Sequence, residues 1–144
     1  MTQTPPPIAD IAETLREDFE FLDDWEARYG HVIDLGKALP DLDDALKTEA
    51  TKVRGCASQV WLTHLPGSAP DRIRFQGDSD AMIVRGLVAI LTELLADQKR
   101  EDIASFDIEG FFKDIGVADA LSAQRSNGLR SMLERIYAVS RGTA

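Results

Sequence analysis

Apolar side chains in the first part of the chain recur every three or four residues, which is the spacing of one face of a helix. Asp23-Asp24-Trp25-Glu26 interrupts this stripe with the spacing of a capping box, an N-cap residue followed three positions later by Glu. The sequence therefore predicts two helices, at about 8–21 and 24–37, that turn one face to the core. The stripe consists of Ile8, Ile11, Leu15, Phe19, Leu22, Trp25 and Tyr29.

The period changes after an acidic turn at residues 41–46. Thr51-Lys52-Val53 has extended character, residues 59–65 read as a strand, and residues 72–75 alternate polar and apolar side chains. A Pro/Gly turn at 66–70 joins the last two of these segments. We therefore expect a short three-stranded antiparallel sheet with one face covered by helices.

The second half of the chain reads as helical. Gly77-Asp78-Ser79-Asp80 is predicted to open the most apolar helix, with Asp78, Ser79 and Asp80 as N-cap candidates. Short helical pieces follow at 101–116, and a final helix at about 119–141 carries four arginines and, after its first residue Asp119, a single acid, Glu134. The whole predicts an α+β fold, with a disordered proline-bearing tail at 1–7 and a single domain over 8–144.

Charge is distributed unevenly along the 144 residues. The net charge is −9, and residues 1–50 hold 13 acidic but only four basic side chains. Nucleic acid and anionic membranes are therefore disfavoured as partners, because phosphate binding needs a basic stripe. Two interpretations stay open, steering toward a basic protein and a solvated acidic helix face. With no apolar run of membrane-spanning length and no secretory signal at the start, we expect a soluble cytoplasmic protein.

Cys56 is the first candidate for chemistry because it is the one cysteine of the chain. A single cysteine is often a small buried hydrophobe, but this one lies in a predicted turn, two residues after Arg54. A nearby cation favours the thiolate, so the segment has the features of a reactive thiol. Cys–His catalysis would need His64 or His31 beside it in space. No paired metal-ligand spacing and no phosphate-binding loop is present, so no metal site is expected.

Three short blocks stand in order along the chain: residues 55–62 (GCASQVWL), residues 77–81 with 83–87 (GDSDA and IVRGL), and residues 125–129 (RSNGL). Together they resemble the SufE family of sulfur-acceptor proteins, which includes the CsdE-type relatives, over about residues 14–138. The proline-bearing N-terminus and Ala57 depart from the family pattern.

The resemblance implies a compact α+β fold similar to that of the IscU-type scaffolds. It also implies an activity: taking persulfide sulfur from a PLP-dependent cysteine desulfurase (SufS- or CsdA-type), stimulating it, and passing sulfur to a SufBCD-type scaffold. Cys56 would be the acceptor, Arg125 the arginine near the acceptor loop, and Asp80 a residue of loop mobility and the partner interface. PLP would belong to the desulfurase, so no bound cofactor is expected. Such a carrier is closer to a co-substrate than to a free-standing enzyme.

The residues themselves fit this mechanism and leave two alternatives. Gly55, Ala57 and Ser58 are small enough for the loop to enter another active site. Val60, Trp61 and Leu62 read as strand core, and they are also candidates for an apolar pocket that shields Cys56. The first alternative is a binding module that activates the desulfurase by docking, without covalent sulfur transfer. The second is a thiol hydrolase or redox enzyme that uses His64 or His31.

Overall fold

The computed structural model of the chain describes residues 6–55 and 58–142, so Cys56 and most of the predicted tail lie outside the described residues. The described part forms an α+β fold of six helices, two short 3-10 turns and one three-stranded antiparallel sheet. The helices are α1 (Ile8–Glu20), α2 (Trp25–Ala38), α3 (Met82–Leu94), α4 (Arg100–Ser105), α5 (Ile108–Asp114) and α6 (Ala123–Ser140). The strands are β1 (Val60–Pro66), β2 (Arg72–Ser79) and β3 (Gln98–Lys99), and the 3-10 turns are Asp44–Leu46 and Ala118–Ala120.

The first two helices agree closely with the apolar stripe. Leu15 and Phe19 are buried in the core, as the period predicts. The cap of α2 is Asp24 rather than Asp23, and its Oδ1 accepts a hydrogen bond from the Ala27 N–H at 2.8 Å. The stripe is wrong at Trp25, which is 56% exposed; the helix is interrupted at residues 21–24, so the period of α1 does not carry over to the first residue of α2.

The sheet has the predicted size but a different third strand. β1 pairs with β2 from Val60↔Ser79 to Pro66↔Ile73, and β2 pairs with β3. The expected strand at residues 51–53 forms a single bridge, Lys52↔Trp61, instead of a ladder. It stops there because Gly55 adopts a left-handed conformation (φ 86°) that turns the backbone away.

The start of α3 also differs from the prediction. β2 extends to Ser79 because it stays paired with β1 up to Val60↔Ser79, so α3 begins only at Met82, with Ala81 at the N-cap position. Asp78, Ser79 and Asp80 therefore do not cap this helix. Asp78 is buried, and the side chains of Ser79 and Asp80 hydrogen-bond to Gln59, the residue before β1.

Helix α3 is the centre of the core. Its apolar face, which includes Leu87, Val88 and Leu91, is completely buried. α2 crosses it so closely that a Cβ atom on Gly86 would overlap the Val32 carbonyl group. None of the helices in the described ranges combines the length and hydropathy needed to cross a bilayer.

Candidate functional site

The structure describes the chain on both sides of Cys56 and Ala57. We call residues 54–59 the cysteine loop; its positions 56 and 57 lie outside the described residues. On the near side, Gly55 rests against α6, where a Cβ atom added to Gly55 would lie 2.9 Å from Ser131 Oγ. Position 55 therefore favours glycine for its positive φ angle, whereas rotation of the Ser131 side chain would relieve the close approach.

The far side of the cysteine loop is held by the end of β2. Gln59 N–H donates to Asp80 Oδ1 at 3.0 Å, and the Asp80 N–H donates back to the Gln59 carbonyl at 3.2 Å. The Ser79 hydroxyl donates to the same carbonyl at 2.7 Å. Asp80, predicted to act on the loop, thus contacts the third residue after Cys56 while remaining exposed.

A cavity of about 330 Å³ opens next to Ser58, two residues after Cys56. Its walls come from the start of β1, from α3 and from the N-terminal half of α6. The lining residues are Ser58, Val60, Val84, Leu87, Ser122, Gln124, Arg125, Gly128, Leu129 and Met132. The structure thus brings two predicted site residues, Ser58 and Arg125, to one cavity that combines apolar and polar walls. Asp80 does not line it.

Arg125 supplies the positive charge of this cavity. It lies in the first turn of α6, where the Ser122 hydroxyl caps the helix by accepting from the Arg125 N–H at 3.3 Å. Its guanidinium donates to the Tyr29 hydroxyl at 3.4 Å, and no carboxylate within the described ranges forms an ion pair with it. A helix N-terminus adds partial positive charge, so the cavity favours an anion.

Tyr29 is a site residue that the sequence did not reveal. The apolar period placed it on the core stripe of α2, and its ring packs edge-on against Trp25 at 5.9 Å. Its hydroxyl accepts the hydrogen bond of the Arg125 guanidinium described above. Nothing in the sequence indicated this contact because Tyr29 and Arg125 are 96 positions apart.

Neither histidine lines the cavity next to Ser58. His64 lies on β1 near Phe75, in a separate groove of about 460 Å³, and burial together with the charge of Arg100 lowers its pKa. His31 packs edge-on against Phe19, with ring centroids 4.9 Å apart. Across the described ranges, no group of three His, Cys, Asp or Glu side chains could hold a metal ion.

The β1 residues after the cysteine loop divide between core and surface. Val60 and Leu62 are almost completely buried, and Val60 also forms part of the cavity wall. Trp61 points to the other face of the sheet, where the Lys47 ammonium lies 5.3 Å from its ring centroid. Val60 is therefore the apolar residue of this segment that can shield a group in the cavity.

The comparisons with known proteins agree on one family. The family model described as SufE, Fe-S metabolism associated domain, matches residues 13–140. An uncharacterized SufE-like protein of Rhizobium etli is 55% identical over 122 residues, which are 83% of this chain and 82% of that protein. One of Rhizobium meliloti is 49% identical over 128 residues, or 88% and 91% of the two chains.

A solved structure shows the same fold at low sequence identity. The solution structure of a hypothetical protein from Thermus thermophilus superposes with a TM-score of 0.70 at 18% identity and covers 98% of both chains. This likeness concerns the fold alone, and it extends over nearly every element described above.

Proposed function

Because the chain belongs to the SufE family, which is associated with iron–sulfur metabolism, we propose that it is a persulfide carrier with Cys56 as the sulfur acceptor. It takes sulfur from a PLP-dependent cysteine desulfurase of the SufS or CsdA type, stimulates that enzyme, and delivers the sulfur to a SufBCD-type scaffold. The PLP belongs to the desulfurase. The observation that carries the proposal is the cavity shared by Ser58 and Arg125 beside the cysteine loop.

The transfer is an exchange at sulfur without net oxidation. The Cys56 thiolate attacks the outer sulfur of the desulfurase persulfide, a new S–S bond forms, and the old one breaks as the desulfurase thiolate leaves. Cys56 then carries the persulfide. Since the chain has no second cysteine, no internal thiol can discharge that persulfide as a disulfide.

The charge of the cavity suits both anions of this reaction. A thiolate and a persulfide anion are each stabilised by a nearby guanidinium and by a helix N-terminus. Arg125 and the first turn of α6 offer both on one side of the cavity. In this mechanism Arg125 raises the fraction of attacking thiolate and holds the product anion.

The remaining site residues govern access. Gly55 allows the backbone to pass close to α6, and Asp80 holds the far end of the cysteine loop at Gln59. Since Asp80 is exposed, a docking partner can compete for its carboxylate and release Gln59. Gly55, Ser58 and Asp80 then form the part of the surface that meets the desulfurase.

The decisive experiment is an intact-mass spectrum recorded without reductant, after incubation with a cysteine desulfurase and L-cysteine. We expect a gain of one sulfur atom that thiol reductant reverses and that Cys56→Ser abolishes. If no sulfur is gained while the desulfurase is still accelerated, the protein is a docking activator and the carrier mechanism is wrong.

A further inference from the structure

Arg135, on α6, forms two hydrogen bonds to the backbone that leads into the cysteine loop. Its Nη1 donates to the Ala50 carbonyl at 3.1 Å and its Nη2 donates to the Lys52 carbonyl at 3.0 Å. A planar guanidinium presents its donors as a rigid fork, so two hydrogen bonds fix the segment in both position and direction. The Lys52 carbonyl belongs to the short stretch that bridges to β1. Ala50 lies in the turn just before it, which the Lys52 N–H closes by donating to the Thr48 carbonyl at 3.0 Å.

The opposite edge of the same stretch is hydrogen-bonded to β1. The Leu62 N–H donates to the Thr51 carbonyl and the Val53 N–H donates to the Val60 carbonyl, each at 2.8 Å. Backbone groups of an extended chain point alternately to its two sides. The Lys52 carbonyl therefore lies on the side away from β1, where Arg135 binds it, and the second hydrogen bond of the guanidinium ties the preceding turn at Ala50 to the same helix.

The same helix continues this support up to the residue before Cys56. Ser131, one turn before Arg135, lies against Gly55. At the other end of α6, Arg125 lines the cavity beside Ser58. One helix thus sets the path of residues 50–55 and also carries Arg125, the cation of the cavity. It therefore fixes the position of residues 50–55 relative to Arg125.

We propose that Arg135 is a positioning residue for sulfur transfer through Cys56. It acts through the backbone of residues 50–55, which it holds in register with β1, and not through contact with the reacting sulfur atoms. The inference rests on the proposed carrier function. Without the fork, residues 50–55 sample more conformations, and fewer encounters with the desulfurase place Cys56 in line with the persulfide bond.

The kinetic test uses single-turnover sulfur transfer from a persulfide-loaded desulfurase, followed by intact mass at increasing concentrations of the carrier. For Arg135→Ala we expect the transfer rate at saturation to fall roughly tenfold and the half-saturating concentration to change by less than about twofold. Arg135→Lys keeps the charge but cannot bind both carbonyls as a fork, so we expect an intermediate rate.

Arg130→Ala is the matched control. Arg130 lies on the same helix, is exposed, and its side chain makes no ion pair or hydrogen bond in the part of the chain that the structure describes. The substitution removes the same charge from α6 and should leave the transfer rate unchanged. An equal loss of rate in Arg130→Ala and Arg135→Ala would assign the effect to the charge of α6 and overturn the positioning role.

Amide hydrogen exchange of the isolated protein tests whether Arg135 holds residues 50–55, without any sulfur chemistry. In Arg135→Ala the Val53 and Leu62 amides should exchange roughly tenfold faster, while amides of α3 keep their rates. If the Val53 and Leu62 amides keep their exchange rates in both Arg135→Ala and Arg135→Lys, Arg135 does not hold this segment. If they respond but transfer keeps its rate, the positioning role is refuted. If the wild-type protein accepts no sulfur, the proposed carrier function is wrong. Amide exchange then still shows whether Arg135 holds residues 50–55.

Discussion

The buried Asp78 carboxylate contacts four groups, and replacing it by asparagine removes its charge with little change in shape. Only 4% of its side chain is exposed. The carboxylate accepts hydrogen bonds from the Leu42 N–H at 3.0 Å and the Ser79 N–H at 2.7 Å. It also pairs with the Arg85 guanidinium and lies 3.5 Å from the Lys47 ammonium. We predict that Asp78→Asn is strongly destabilising.

The magnitude follows from what Arg85 would lose. Its side chain is 12% exposed and donates to the Gly36 and Leu39 carbonyls at the end of α2, and its other carboxylate partner is the exposed Asp41 at 3.2 Å. Removing one member of a buried ion pair costs about 3 to 5 kcal/mol, because the charge that remains, here paired only with the exposed Asp41, is compensated much less well. With a urea m-value of about 2 kcal/mol per M, the unfolding midpoint should fall by about 1.5 to 2.5 M.

Urea unfolding followed by circular dichroism measures this difference. The control is Asp114→Asn, which removes an exposed carboxylate 3.3 Å from Arg16 and should cost less than about 1 kcal/mol. The double variant Asp78→Asn/Arg85→Met removes both charges, so its loss should be smaller than the sum of the two single losses. A loss below about 1 kcal/mol for Asp78→Asn would refute our account of this network.

Three further predictions concern acid, packing and the persulfide. Burial alone would raise the pKa of Asp78, but the Leu42 and Ser79 N–H groups and then the nearby cations lower it. The stabilisation is therefore present above the ordinary carboxyl pKa of about 3.9, and the urea-midpoint gap to Asp78→Asn should shrink as the pH falls through the lowered pKa. Gly86→Ala should lose roughly 2 to 3 kcal/mol by urea unfolding, since its Cβ meets the Val32 carbonyl, whereas Gly30→Ala has open space and should gain up to about 1 kcal/mol. Val60→Ser should speed persulfide loss to glutathione, measured by intact mass, and an unchanged rate would contradict shielding by the cavity wall.

The helices were predictable because burial imposes their period. The bounds of α1 and α2 fall within one residue of the predicted helices at 8–21 and 24–37. The start of α3 could not be predicted in this way. Gly77-Asp78-Ser79-Asp80 has the composition of a helix cap, but most of it belongs to a strand because it pairs with β1. Tertiary pairing decided between two structures that the local sequence permits. β3 has two residues, which is too short to show any alternation.

The parts of the candidate site that consist of neighbouring residues could be predicted from the sequence. The parts that depend on contacts between distant residues could not. The motif around Cys56 and the block that begins at Arg125 are visible in the sequence. Arg135 reaches a carbonyl 85 positions away, and nothing near it in the sequence indicates that contact. The excess of arginine in the last helix was the available signal, but it does not distinguish Arg135 from the exposed Arg130.

The support of the cysteine loop by α6 has a consequence for the order of synthesis. Ser131 and Arg135 leave the ribosome long after Cys56, by roughly 4 to 16 s at 5 to 20 residues per second. During that interval the nascent chain already carries its thiol but has neither the cation nor the wall that α6 adds to the cavity. Under the proposed function, the acceptor site is therefore completed only after α6 has been synthesised, and Cys56 can reach its working geometry only from then on.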